Sequence, residues 1–156
     1  MIEKRLSELG IALPIPPKPA GSYIPVVTSG NLAFVSGQIP VQDGKVVFTG
    51  KIPSEKSLEE AQKAARLCAI NILAQLKSSL GDLDRITRIV SLAGFVNATP
   101  EFADHPKVIN AASDLFFEIF GENGKHSRVA VGTSSLPLNS SVEISAVVEF
   151  TDRVLH

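Results

Sequence analysis

Two charged residues stand inside runs that otherwise read as half-buried strand. Arg128 opens Arg128-Val129-Ala130-Val131-Gly132-Thr133, and Glu143 sits within Val142-Glu143-Ile144. Both runs alternate apolar residues with small or polar ones, the period-2 pattern of strands packed on one face. A charge in such a run is costly to bury without a partner. Arg128 and Glu143 therefore either form a structural ion pair across neighbouring strands or face a cleft and meet a ligand. For the second reading a small organic anion fits. A guanidinium grips a carboxylate through two parallel hydrogen bonds that Lys cannot reproduce.

Other residues able to do chemistry offer less. Cys68 is the single cysteine, so there is no internal disulfide, and its place in a helical pattern makes it a small buried hydrophobe. His105 directly precedes Pro106 and reads as a helix-start residue. His126 lies two residues before Arg128 and titrates near neutrality, yet a structural role is the first expectation. His156 is the last residue, where order is not expected. The three histidines lack Cys or Glu partners at ligand spacing, so no metal is expected. Ser134-Ser135 and Ser140-Ser141 lack nucleophile-elbow glycines. Gly30-Asn31 is followed by no helix and is a turn, not a phosphate loop.

Composition narrows the class. The chain has 156 residues, enough for one domain that buries roughly 70% of its unfolded surface. Fifteen basic against sixteen acidic residues give a net charge of −1, too little cationic field to hold a nucleic-acid backbone. The apolar share, 44%, is high for a small monomer and hints at self-association. No apolar run reaches the roughly 18 residues of a membrane span. Met1-Ile2-Glu3-Lys4-Arg5 does not read as a secretory signal, so a cytoplasmic setting is expected.

The elements that must carry these residues are readable in outline. Residues 2–10 predict a short helix stopped by Gly10, and Pro14 to Pro19 an extended connector. This N-terminal segment, 1–19, leads into a single domain over 20–156. Strands are expected at Ile24 to Thr28, Leu32 to Ser36 and, after the Asp43-Gly44 turn, Val46 to Phe48. Ser57-Leu58-Glu59-Glu60 is a capping box that opens a long helix ending at Gly81. Ile86 to Val96 predicts a strand, and Pro106 opens a second helix whose apolar stripe runs from Val108 to Phe120. The last strands are expected at about 128–134 and 142–150. The order β-β-β-α-β-α-β-β predicts an α+β fold, one mixed sheet packed on one side by two helices. The sheet's other face then needs a cover, and self-association is the simplest one.

Two separated motifs resemble one family. They are Gly21-Ser22-Tyr23 with Gly30-Asn31-Leu32-Ala33-Phe34-Val35-Ser36-Gly37-Gln38-Ile39-Pro40, and Arg128 with Leu136-Pro137 eight residues on and Glu143 fifteen on. In this the chain resembles the reactive-intermediate deaminase family, also called RidA-like or YjgF-like, over roughly residues 20–150. The resemblance implies a chorismate-mutase-like fold assembled as a homotrimer, with sites in clefts between subunits. It implies cofactor-free hydrolysis of reactive enamines and imines, such as 2-aminoacrylate, to a 2-oxoacid and ammonia. Arg128 would then grip the substrate carboxylate and Glu143 would activate water. Tyr23, Gly37 and Asn110 would line the site, and Ala130 would offer its backbone carbonyl. No membrane or nucleic-acid partner is implied.

The chain also departs from the family pattern. Ser22 replaces a proline, Ser113 a tyrosine of the helix motif, His126-Ser127 a Pro-Ala, and Val129 a common serine. His105-Pro106 lies in an inserted loop. These changes surround the expected cleft and mark a divergent subgroup. The alternative to a deaminase is a non-catalytic trimer that senses a small carboxylate. Ribonuclease activity, an older label in the family, is disfavoured by the charge and the lone tyrosine. Chorismate-mutase activity rests on fold analogy alone.

Overall fold

The computed structural model describes residues 1–18 and 21–152. Helix α1 covers Ile2–Glu8, and helices α2 and α3 cover Leu58–Leu80 and His105–Phe120. The strands are β1 Val26–Ser29, β2 Leu32–Gln38, β3 Val41–Gln42, β4 Lys45–Val46, β5 Ile86–Asn97, β6 Ser127–Thr133 and β7 Val142–Phe150. Five of them form one sheet in the order β1-β2-β7-β5-β6. All neighbours are antiparallel except β5 and β6, which α3 joins as a β-α-β crossover. The α+β layer predicted from the sequence is the fold observed.

Local chemistry sets the ends of these elements. Ser57 Oγ accepts from the Glu60 amide at 3.1 Å, and the Glu60 carboxylate accepts from the Ser57 amide at 3.2 Å. That reciprocal cap fixes the start of α2, and Gly81 at φ 84° ends it. Ala61, Ala65, Cys68 and Ala69 are fully buried along α2, and their small volume lets the helix lie close to the sheet. On α3 the predicted stripe is buried at Val108, Ile109, Ala112, Leu115, Phe116 and Ile119. Cys68 donates its thiol to the Val142 carbonyl, and burial pushes its pKa well up, as befits an unreactive core residue. His105 is the first residue of α3, as its place before Pro106 predicts.

Two expectations need correction. The predicted strand at Val46 to Phe48 is a two-residue strand, Lys45–Val46, which among the described residues pairs with β3 alone in a separate hairpin. Asp43 at φ 53° and Gly44 at φ 79° close that hairpin. Strand β1 begins at Val26 and not at Ile24, because Pro25 has no amide to give a ladder. Strands β6 and β7 are not neighbours, since β5 lies between them. The Pro14–Pro19 connector carries no regular structure over residues 14–18, while Pro19 and His156 lie outside the described residues.

The N-terminal helix packs on the body of the domain. Leu6 is buried in the core, and the Ile2 amide donates to Asp84 at 2.7 Å. At the far end of α3, Gly124 is buried under the helix. A Cβ there would run into the Phe116 carbonyl, with the Phe116 carbonyl carbon only 2.7 Å away. Backbone cannot swing aside as a side chain can. Gly124→Ala is therefore expected to lower stability by about 2–3 kcal/mol, read as a lower urea midpoint with an unchanged slope.

Candidate functional site

Register assigns each sequence-predicted residue to a face. Leu92 and Val96 of β5 are buried under the helices, and β6 pairs Arg128 with Leu92 and Gly132 with Val96. Arg128, Ala130 and Gly132 therefore lie on the helix side, at the sheet's outer edge. Val142 and Ile144 are fully buried on that same side, so Glu143 points to the opposite face. Arg128 and Glu143 of one chain are separated by β5 and by the thickness of the sheet. They form no ion pair, and the structural pairing across neighbouring strands is excluded.

Arg128 faces an open groove of about 520 Å³ lined by Ser113, Asp114, Phe117, Lys125, His126 and itself. Its Nη1 donates to Ser113 Oγ at 2.9 Å and its Nη2 to the Pro106 carbonyl at 3.4 Å. Ser113 is also bonded to His126 Nε2 at 2.8 Å, and His126 Nδ1 to the Gly124 carbonyl at 2.7 Å. Burial, then the Arg128 charge, pushes the His126 pKa down, while the bond to Gly124 opposes the shift. Lys125 rests over the Phe117 ring at 5.4 Å and pairs with Glu122 at 3.1 Å. Asn110 is exposed one turn before Ser113 on the same helix face, but it does not line the groove. Ala130 is half-buried beyond Arg128, packed against the core.

The other sequence-predicted residues gather around β2. A register shift between Val35 and Gln38 bends that strand where it meets β7. Gly37 sits in the bend with the Glu143 carboxylate against its backbone. A Cβ at Gly37 would overlap Oε2 and lie 2.8 Å from Cδ. Tyr23 hydrogen-bonds Ser36, the residue before Gly37. Among the described residues Glu143 makes no hydrogen bond or ion pair, and burial alone raises its pKa. On the same face Val27, Phe34, Val129 and Val131 are exposed, and Ser145 and Glu149 of β7 lie farther along it.

One chain thus holds the sequence-predicted residues in two separate clusters. Arg128 with Ser113 and His126 forms the first, and Glu143 with Gly37 and Tyr23 the second. Sequence reading gave Ser113 no role. Its signal was that Ser113 and His126 both depart from the family motif, and they meet in space. Among the described residues no group of three or more His, Cys, Asp or Glu could hold a metal ion, and no helix is long and apolar enough to cross a membrane.

Comparison with known proteins bears on the fold and the family. Residues 3–150 match the family described as "YjgF/chorismate mutase-like, putative endoribonuclease". Protein TCP17 of Trypanosoma cruzi is 42% identical over 97% of this chain and 95% of its own length. The crystal structure of Atu1372 from Agrobacterium tumefaciens, a protein of unknown function, superposes with a TM-score of 0.90 at 50% identity, covering 96% of this chain and 92% of that one. A 2-iminobutanoate/2-iminopropanoate deaminase of Dermatophagoides farinae is 29% identical over 88% of this chain and 93% of its own.

Proposed function

The chain belongs to the YjgF/chorismate-mutase-like family, and from that premise we propose that it is a cofactor-free deaminase of small 2-imino and 2-enamino acids. The observation that carries the reading is Glu143. A carboxylate held half-buried on the face that exposes Val27, Phe34, Val129 and Val131, with no partner among the described residues, is expensive unless it works. Likeness to a named iminobutanoate deaminase supports the same chemistry.

The proposed active unit is a homotrimer. Its exposed face of Val27, Phe34, Val129 and Val131 is the surface that assembly would cover. Packing copies together also supplies what one chain lacks, an Arg128 from one copy beside a Glu143 from another. Arg128 holds the substrate carboxylate by charge-assisted hydrogen bonds. Glu143 takes a proton from water as its oxygen adds to the imine carbon and passes it to the nitrogen; it then moves the proton of the new hydroxyl to the same nitrogen as the carbon–nitrogen bond breaks and ammonia leaves. The carbon keeps the oxygen, so the product is the 2-oxoacid. Tyr23, Asn110 and the Ala130 carbonyl border the substrate, and Gly37 leaves room for the glutamate. The single free thiol, Cys68, suits a reducing cytoplasmic setting.

The test is ammonia release from 2-aminoacrylate generated in situ by an amino-acid lyase, compared with buffer. Enzyme-dependent acceleration supports the reading. Binding of 2-oxoacids without turnover of any imine would make the protein a carboxylate sensor instead. The pH profile is set by Glu143, which must be ionised to take a proton. Burial raises its pKa above the ordinary 4.5. The rate should therefore fall as pH drops through a value above 4.5, and Glu143→Gln should remove that acid limb with the residual rate.

A further inference from the structure

The polar chain in the Arg128 groove goes one step beyond this function, while resting on the reading of Arg128 as a carboxylate binder. A carbonyl can only accept, so His126 Nδ1 carries the proton in its 2.7 Å bond to Gly124. That leaves Nε2 to Ser113, 2.8 Å away. When the imidazole is neutral, Nε2 accepts, and the one hydroxyl proton of Ser113 is committed to it. Ser113 Oγ simultaneously accepts from Arg128 at 2.9 Å. In this state the serine has no proton left for a ligand seated on the guanidinium.

The surroundings keep the chain in place. Phe116 meets the imidazole edge-on, with ring centroids 6.3 Å apart. Gly124, which supplies the acceptor, has no room for a Cβ beneath α3. The charged groups around His126 are Arg128 on β6, Asp114 on α3, and Lys125 with its partner Glu122 in the connecting turn. Arg88 of β5 donates to the Lys125 carbonyl at 3.1 Å. Burial and Arg128 together favour the neutral ring in the free protein.

We propose that Ser113 and His126 are positioning residues that make anion binding at Arg128 proton-linked, with His126 taking up one proton as a small carboxylate binds. The imidazolium then donates Nε2–H to Ser113 Oγ. A hydroxyl has two acceptor positions and one proton. Ser113 would fill both acceptors, from Arg128 and His126, and turn its freed proton to the carboxylate. The incoming negative charge offsets the new cation beside Arg128. Nothing else is consumed, and the proton comes from solvent.

Calorimetric titration of the purified assembly with pyruvate, in two buffers of different ionisation enthalpy, counts the protons. Uptake near one proton per site is expected, with Kd tightening about tenfold per pH unit on the acid side of neutrality. His126→Gln and Ser113→Ala should flatten that dependence and still bind. Nitrogen-15 spectra of the wild-type protein give a check that needs no variant. They should show an Nδ1-protonated neutral His126 in the free protein and an imidazolium with pyruvate bound. Pyruvate binding with no proton uptake overturns the linkage and leaves the carboxylate reading of Arg128 standing. No pyruvate binding at any pH overturns both.

Discussion

Arg128→Ala is expected to cut kcat/KM for imine hydrolysis about a thousandfold while leaving the thermal midpoint within a few degrees of wild type. Two charge-assisted hydrogen bonds to a carboxylate are worth about 4 kcal/mol together, which is that factor. Little stability should go with them. The Arg128 partners are one serine hydroxyl and one carbonyl at the groove's edge, and both can turn to water. Arg128→Lys should recover only part of the loss, because an ammonium cannot make the paired contact.

The same residue tests how the site is assembled. In one chain Arg128 and Glu143 occupy opposite faces of the sheet with β5 between them. A site that uses both must draw them from different copies. Arg128→Ala and Glu143→Gln proteins, each inactive alone, should therefore regain activity when unfolded together and refolded as mixed trimers. With equal mixing and one residue drawn from each neighbour, about a quarter of the sites are intact. No recovery, in mixed trimers verified by mass, would mean that Arg128 and Glu143 do not share a site across subunits.

Gly37→Ala is the second large effect, and it separates geometry from stability. The added Cβ meets the flexible end of Glu143 and no backbone. The carboxylate can move aside at small energetic cost, so the fold should survive with its melting point nearly unchanged. The displaced oxygen no longer holds water where the imine carbon sits. A shift of about 1 Å is enough for a loss of about 100-fold in kcat, with KM for the carboxylate end little altered. A parallel rise in KM of the same size would place Gly37 in substrate binding instead.

The contrast between Gly37 and Gly124 shows what pattern alone conveys. Neither glycine has room for a Cβ. One faces a side chain that can yield, the other a helix carbonyl that cannot. Only coordinates tell them apart. The capping box at Ser57, the stop at Gly81 and the buried stripe of α3 were legible because caps and helical periodicity are local properties. The strand at Val46 to Phe48 was misplaced because a short apolar run does not say which sheet it joins.

The sequence by itself determined the layer architecture, the two helices, the family motifs, and that Arg128 and Glu143 were the charges needing a reason. Alternation and capping act between residues a few positions apart, so one chain read in order is enough. Tertiary structure decided that β5 comes between β6 and β7, and the register of β5 with each puts the two charges on opposite faces. It also brought Ser113 of α3 to both Arg128 and His126. Those relations depend on strand order and on the docking of a helix far away along the chain. They follow from burying one shared core, a condition that no local spacing encodes.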